Sequence, residues 1–447
     1  ATYVEDNLDD GVDVQSYAYQ GSLIEQYLGI GLSLIDGNTA SGVEIGTAAV
    51  NLSTANQTTA IALTTISNNG QNGIVIGNFA DPSYLTQSVT IGLSTISDNT
   101  GDGIYVSNVA LDDGTVLTQD IDIEQSTIDG NTDDGIDFYM YAAGGAVIDP
   151  SLYLYNVDIT NNGGDGIAMS LVATGVGAVY GSDIYFEVDG DGAYIVGNGG
   201  SGINANLTGA TGGYSYLDAF FTSSDFNTNG GDGVFVYGYA DAGSGVGLDF
   251  TFLSSYVNGN AYNGVVAVLI ANGAGAYAYN ELDFIDTQVD GNGTNGVFHS
   301  LTAADGADGR LEFDAYNTDF TYNGYNGVTV QVNALDGGYA EGYAEFDYVL
   351  VGNNGGVGAL LTTTAIGDDA ETYFDIDVQY SAFVSNTYDG LFASSYATSG
   401  SYGSEAAAAM NFDADFVYAG LNGDDGMEFA AFAGSYEIGR ASCRERV

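Results

Sequence analysis

The sequence predicts an all-β chain: a single-stranded, right-handed parallel β-helix (a β-solenoid) of about 14 coils of about 31 residues, with three short strands per coil. Three observations predict it. An Asn and a Gly four residues apart recur along the whole chain at near-constant spacing. Each repeat holds three stretches in which apolar and polar residues alternate with period two, the pattern of half-buried strands. No window of about ten residues or more carries the 3.6-residue periodicity of a helix.

The repeat comes first because it fixes the phase of everything else. Its Asn/Gly pairs are Asn7/Gly11, Asn38/Gly42, Asn69/Gly73, Asn99/Gly103, Asn131/Gly135, Asn162/Gly166 and Asn198/Gly202, then Asn229/Gly233, Asn260/Gly264, Asn292/Gly296, Asn323/Gly327, Asn354/Gly358, Asn386/Gly390 and Asn422/Gly426. Successive glycines lie 30 to 32 apart, except for two gaps of 36. An amide both donates and accepts, so one Asn per coil is expected to stack into a ladder along the solenoid. The Gly is expected to supply a positive φ or a close backbone approach at the turn. The residue before it is Asp at Asp10, Asp102, Asp134, Asp165, Asp232, Asp389 and Asp425, and Ser or Asn in several other repeats, which reads as turn chemistry.

The strands follow from that phase. After the Gly, positions one and three are apolar, as in Ile104/Val106, Ile136/Phe138 and Val234/Val236, and this defines the first strand. A second alternating stretch contains Ile121/Ile123, Phe250/Phe252 and Phe374/Ile376. A third ends three residues before the Asn, at Ile96, Ile128, Ile159, Val257 and Phe320. With no helices to return the chain, the economical arrangement winds it so that each strand pairs in parallel with its copy one coil away, and parallel crossovers are right-handed by default.

The strings ISDNTGDGIYV, IDGNTDDGIDF and ITNNGGDGIAM resemble the parallel β-helix repeat of pectate-lyase-like proteins, and most of all the repeats of bacterial surface and autotransporter-type passenger proteins. The resemblance covers residues 1–437. It implies the fold and an extracellular or outer-surface location, but it is poor for function, because lyases, hydrolases and adhesins share this solenoid.

Composition narrows the partners. There are 59 acidic residues against 4 basic ones, a formal net charge of −55. Such a surface repels nucleic acid, anionic membranes and polyuronate chains, and it attracts cations. No run of about 18 apolar residues is present to span a bilayer. The 67 Gly against 2 Pro fit frequent tight turns between regular strands.

Two enzyme signals compete with the repeat. Asn131-Thr132-Asp133-Asp134-Gly135-Ile136-Asp137 resembles the Asn-Thr-Asp-Gly motif of polygalacturonase-type glycosidases, with one Asp too many and without that family's Gly-His-Gly and Arg-Ile-Lys segments. It also sits at the generic repeat position. Lyase chemistry on uronates needs a base, and residues 1–437 offer only Arg310 and no Lys. Arg310 is expected to point outward beside Glu312; His299, in the inward register, is expected to be buried and hydrogen-bonded rather than catalytic. No catalytic residue is therefore assigned. In the first long repeat, Asp189-Gly190-Asp191-Gly192 offers two carboxylates to a hard cation such as Ca²⁺. Rows of tyrosines, among the 34 present, offer stacking surfaces for sugar rings or a neighbouring chain.

Two expectations concern the ends. Residues 438–447 hold three of the four basic residues and the one Cys, and they lack the repeat. They resemble a translated sequencing adapter, which implies a non-native tail on a piece of a longer protein. Open strand edges predict end-to-end self-association. The functional expectation is a secreted or cell-surface structural or adhesive β-helix, with carbohydrate or other surface proteins as partners. The alternative is a polysaccharide hydrolase or lyase of the pectate-lyase-like superfamily.

Overall fold

The structure, a computed structural model, describes residues 2–175, 181–400, 405–434 and 439–446, with side chains described up to residue 433. The chain divides into two compact units, Ala1–Gly231 and Asp232–Val447. Each is a right-handed parallel β-solenoid, and no helix occurs among the described residues.

In the first unit, seven first strands run in parallel order from Val12–Tyr19 to Ile203–Ala210. Seven second strands run from Leu23–Gly31 to Tyr214–Thr222, and seven third strands from Thr2–Glu5 to Tyr194–Val196. Each strand pairs with its copies one coil away, never with its neighbour in sequence. The register places like on like. Ile104 faces Ile136, which faces Ile167, which faces Ile203, and the third strands stack Ile96, Ile128, Ile159 and Ile195. All of these isoleucines are buried. Because side chains alternate faces, a one-residue slip would turn each column to solvent, and that fixes the pairing.

The second unit repeats the plan with first strands from Val234–Ala240 to Met427–Gly434 and second strands from Gly245–Leu253 to Gly439–Arg446. Its third strands run from Gln288–Asp290 to Tyr418–Gly420. Its interior is aromatic: Phe250, Phe252, Phe284, Phe313, Phe320 and Phe346 are fully buried, and Phe252 stacks on Phe284 at 5.0 Å. Burying one such ring contributes about 1.5–3 kcal/mol.

The extra length of both 36-residue repeats falls between a first and a second strand, after Ile167–Thr174 and after Leu391–Thr398. The backbone of Gly439–Arg446 lies parallel to Ala406–Asp413. An open parallel edge templates any sequence laid on it, so this pairing says nothing of the segment's origin. Ile438 and Val447 lie outside the described residues. No helix among the described residues is long and apolar enough to cross a membrane.

Candidate functional site

The corner between third and first strands is built by the repeat itself. The Asn131 Nδ2 donates to Asn162 Oδ1 at 2.9 Å, and the Asn131 backbone N–H donates to the same oxygen at 3.1 Å. In the first unit the same pair of bonds links Asn38 to Asn69, Asn69 to Asn99, Asn99 to Asn131, Asn162 to Asn198 and Asn198 to Asn229. In the second unit the Nδ2 bonds run from Asn260 through Asn292, Asn323, Asn354 and Asn386 to Asn422. The ladder is buried, so each amide is worth its full desolvation if a partner is lost.

The corner glycines serve by close approach and not by a positive φ. In the first unit Gly42, Gly73, Gly103, Gly135, Gly166 and Gly202 all lie outside the left-handed region; so do Gly233, Gly264, Gly296, Gly327, Gly358 and Gly390 in the second. The left-handed residue of this corner is the one before the Asn, as at Asp98, Gly130, Asn161 and Gly197. Of the two roles expected of these turn glycines, close approach holds and a positive φ does not. The reason is the neighbouring coil. A Cβ on Gly103 would meet the Gly135 carbonyl oxygen at 2.6 Å and Asn131 Nδ2 at 2.9 Å. A Cβ on Gly42 would meet the Gly73 carbonyl oxygen at 2.7 Å, one on Gly73 that of Gly103 at 2.6 Å, and one on Gly166 that of Gly202 at 2.5 Å. The second unit is as tight: Gly264 would clash with the Gly296 oxygen and Gly296 with that of Gly327, each at 2.5 Å, while Gly358 crowds Gly390 and Asn386 Nδ2. Stacking glycine on glycine thus lets the coils close over the Asn ladder.

Left-handed residues also lie at a further corner, where several are bulky. Leu32, Leu63 and Leu93 hold one corner position in the first unit; Tyr348, Tyr380 and Phe416 hold its counterpart in the second. There the Tyr380 ring stacks between Tyr348 at 4.9 Å and Phe416 at 5.0 Å.

The position before the Gly forms a second ladder that the sequence did not disclose. Asp102 Oδ1 accepts the Asp134 backbone N–H at 3.1 Å, Asp134 Oδ1 accepts that of Asp165, and Asp165 Oδ1 that of Ser201. In the second unit Asn263, Asn295 and Asn326 do the same. The position mostly carries a side-chain oxygen, charged or neutral, with Val357 the exception before Gly358. Burial pushes Asp102 up to about 6, Asp134 up to about 7 and Asp137 up to about 6, with neighbouring carboxylates adding to the rise. Oxygens of Asp102, Asp133 and Asp134 lie within 4.8 Å of one another, as do those of Asp389, Asp425 and Glu428. Both groups have the hard oxygen donors that Ca²⁺ takes.

Asp189 and Asp191, the sequence's cation candidates, do not lie in the extra length of their long repeat. They close the regular second strand Asp183–Asp191 and both point outward, with Asp218 the acidic neighbour of Asp189.

The densest charge lies on the outward face of the second strands in the second unit. Register stacks Asp249, Glu281, Glu312, Tyr343 and Asp375 in one column and Asp283, Asp314, Glu345, Asp377 and Asp413 in the next. Burial, with Asp249 and Asp283 close by, pushes Glu281 up to about 8; burial and Asp283 push Asp314 up to about 7. Tyrosines alternate with the acids. Tyr343 donates to Glu345 at 2.8 Å and Tyr373 to Asp375 at 2.9 Å, while Tyr279 and Tyr339 donate to Glu281 and Glu341. The Glu341 bond pushes the Tyr339 hydroxyl up to about 12. Shallow grooves of about 370 Å³ at Asp375/Asp377/Asp413 and about 230 Å³ at Asp283/Asp314/Glu345 lie on this face. Arg310 pairs with Glu312 at its edge, as its outward register implied.

His299 is wholly buried, as expected, but the expected hydrogen bond is missing. Neither ring nitrogen has a full hydrogen-bond partner among the described residues. Burial pushes its pKa down to about 3, against a weaker opposing pull from the Asn280 backbone, so the ring is neutral beside Phe313.

No protein-family model matches the chain, and no curated protein matches it. Two solved structures are similar. The A-module of mannuronan C-5 epimerase AlgE4 from Azotobacter vinelandii is 13% identical, covering 80% of this chain and 90% of that one, with a TM-score of 0.27. The A-module of AlgE6 from the same organism is 12% identical, covering 79% and 91%, with a TM-score of 0.26. Values this low carry no assignment of activity.

Proposed function

We propose that this chain is a secreted or cell-surface structural or adhesive β-helix whose acidic columns are neutralised by cations. One observation carries this reading: the acids recur from coil to coil in columns, and Asp102, Asp134 and Asp165 at the Gly corner spend an oxygen on the backbone N–H of the next coil. A hydrolytic site needs two carboxyls singled out from their neighbours, one protonated and one ionised. Carboxylates repeated along a surface bind counter-ions and water instead, and they keep a solenoid in solution at a cell exterior.

A second reading, a carbohydrate-active enzyme, has one observation in its favour: Asp102, Asp133 and Asp134 converge, with Asp137 beside them. One experiment separates the two. The purified chain is incubated with pectin, polygalacturonate, alginate and neutral glucans, and new reducing ends and unsaturated products are scored. The scaffold reading expects none above background. Turnover that Asp133→Asn abolishes would replace it with the enzyme reading.

A further inference from the structure

The acidity of this protein has a gap in it. In the second unit the six first strands from Val234–Ala240 to Leu391–Thr398 contain no Asp, Glu, Lys or Arg. Their outward positions form a continuous uncharged sheet. Register stacks Phe235, Val266, Phe298, Thr329, Leu360 and Phe392 in one column, and hydroxyls and amides fill much of the rest. Ile366 and Tyr396 on this face are each 40% exposed. Six strands at about 4.8 Å and seven residues at about 3.3 Å make a flat patch of roughly 700 Å². Exposed apolar residues rimmed by hydroxyls and amides, as here, mark protein–protein contact surfaces.

We infer that this face is an interface and that its occupant is a second copy of the chain, docked face to face as a β-sandwich. Area is the first argument: about 800 Å² per partner is what a stable protein–protein contact needs, and this face supplies nearly that. Charge is the second. At a net charge of −55, two copies repel wherever acids meet. Pairing the uncharged faces leaves the acidic second-strand faces pointing away from the contact. Chemistry is the third: sheets pack about 10 Å apart through interdigitated apolar side chains, and the hydroxyls that interrupt the apolar column can bond across the contact without a buried charge. An isologous contact requires a self-complementary surface, and an uncharged flat sheet is one.

Sedimentation equilibrium of the full chain tests this, run in reducing buffer so that Cys443 forms no cross-link, across micromolar concentrations at low and high NaCl. A monomer–dimer equilibrium that tightens with salt is expected. Leu360→Glu and, separately, Ile270→Glu place a carboxylate inside the contact and weaken the dimer about 100-fold or more. Both side chains point outward, so the melting midpoint should stay near the unmodified value; should either variant fail to fold, Thr364→Glu probes the same face. A chain that stays monomeric at high salt overturns the inference, as does a dimer that the folded variants leave intact. Retention of a monomeric chain on insoluble cellulose or chitin, lost in Leu360→Glu, would overturn it in favour of a neutral glycan.

Discussion

The first-strand and second-strand faces of the second unit share a coil, a pitch and a parallel register, yet they are written in different alphabets. The six first strands up to Leu391–Thr398 carry no charge; the five second strands from Gly245–Leu253 to Glu371–Gln379 carry twelve acids and Arg310. The solenoid itself demands only that inward positions be apolar and that the Asn corner recur. Outward positions are free of that demand, so their contents report something other than folding. The segregation teaches that one face is kept for water and ions and its neighbour for contact.

The Asn column belongs to neither face and sets the scale for disturbing either. Asn323→Ala leaves two donors of Asn292 and the Val289 carbonyl short of partners in a buried corner. It should cost about 3 kcal/mol, read by denaturant unfolding. A loss below about 1 kcal/mol would mean that water replaces the amide.

The acidic face should answer to neutralisation. Glu281→Gln, Asp283→Asn and Asp314→Asn together should stabilise the chain by about 2 kcal/mol at pH 8, after discounting for solvent screening. Glu281 and Asp314, at about 8 and about 7, stand above the usual carboxylate range when folded. The folded state therefore holds their protons more tightly. Their contribution is complete below pH about 4 and is lost as pH rises through about 7 to 8. The triple variant should show a flatter melting curve against both pH and NaCl. If the unmodified chain melts alike at low and high salt, repulsion does not limit its stability.

Beneath the uncharged face the sign reverses. His299, at about 3 when folded, lies below its unfolded value near 6.5. Its contribution is complete above pH about 6.5 and is lost as pH falls toward 3. His299→Leu should stabilise the chain by about 1 kcal/mol at neutral pH, and by more at pH 5, by removing a buried ring whose nitrogens are poorly satisfied. An unchanged acid limb in thermal melts would show that the ring is hydrated.

The smallest effect belongs to the corner ladder. Tyr380→Asn relieves a left-handed backbone strain of about 1 kcal/mol and forfeits stacking of similar size, so the net change should stay within about 1 kcal/mol. A larger loss would show that the rings, not the backbone, set that corner.

The coil, its three strands and the Asn ladder are legible in the sequence because a period repeated along the whole chain leaves few alternatives. The left-handed leucines and tyrosines are not, since propensity assigns such positions to Gly or Asn. For the same reason the glycines that follow the Asn could be read as left-handed, when what they answer is crowding from a coil about 31 residues away. Where the extra residues of a long repeat fall is not legible either; in the repeat of Asp189 and Asp191 they precede the strand that carries both. The columns of acids are hidden for a different reason: Glu281 and Glu312 are 31 residues apart in sequence, and only the register makes them neighbours.

The pitch of these coils has a mechanical meaning. Every ladder hydrogen bond runs from one coil to the next, so tension on the chain peels coils one at a time instead of shearing a whole sheet. Each release frees about 31 residues, or roughly 105 Å of slack. A solenoid built this way yields under load in steps of fixed length, giving ground coil by coil while the rest stays wound.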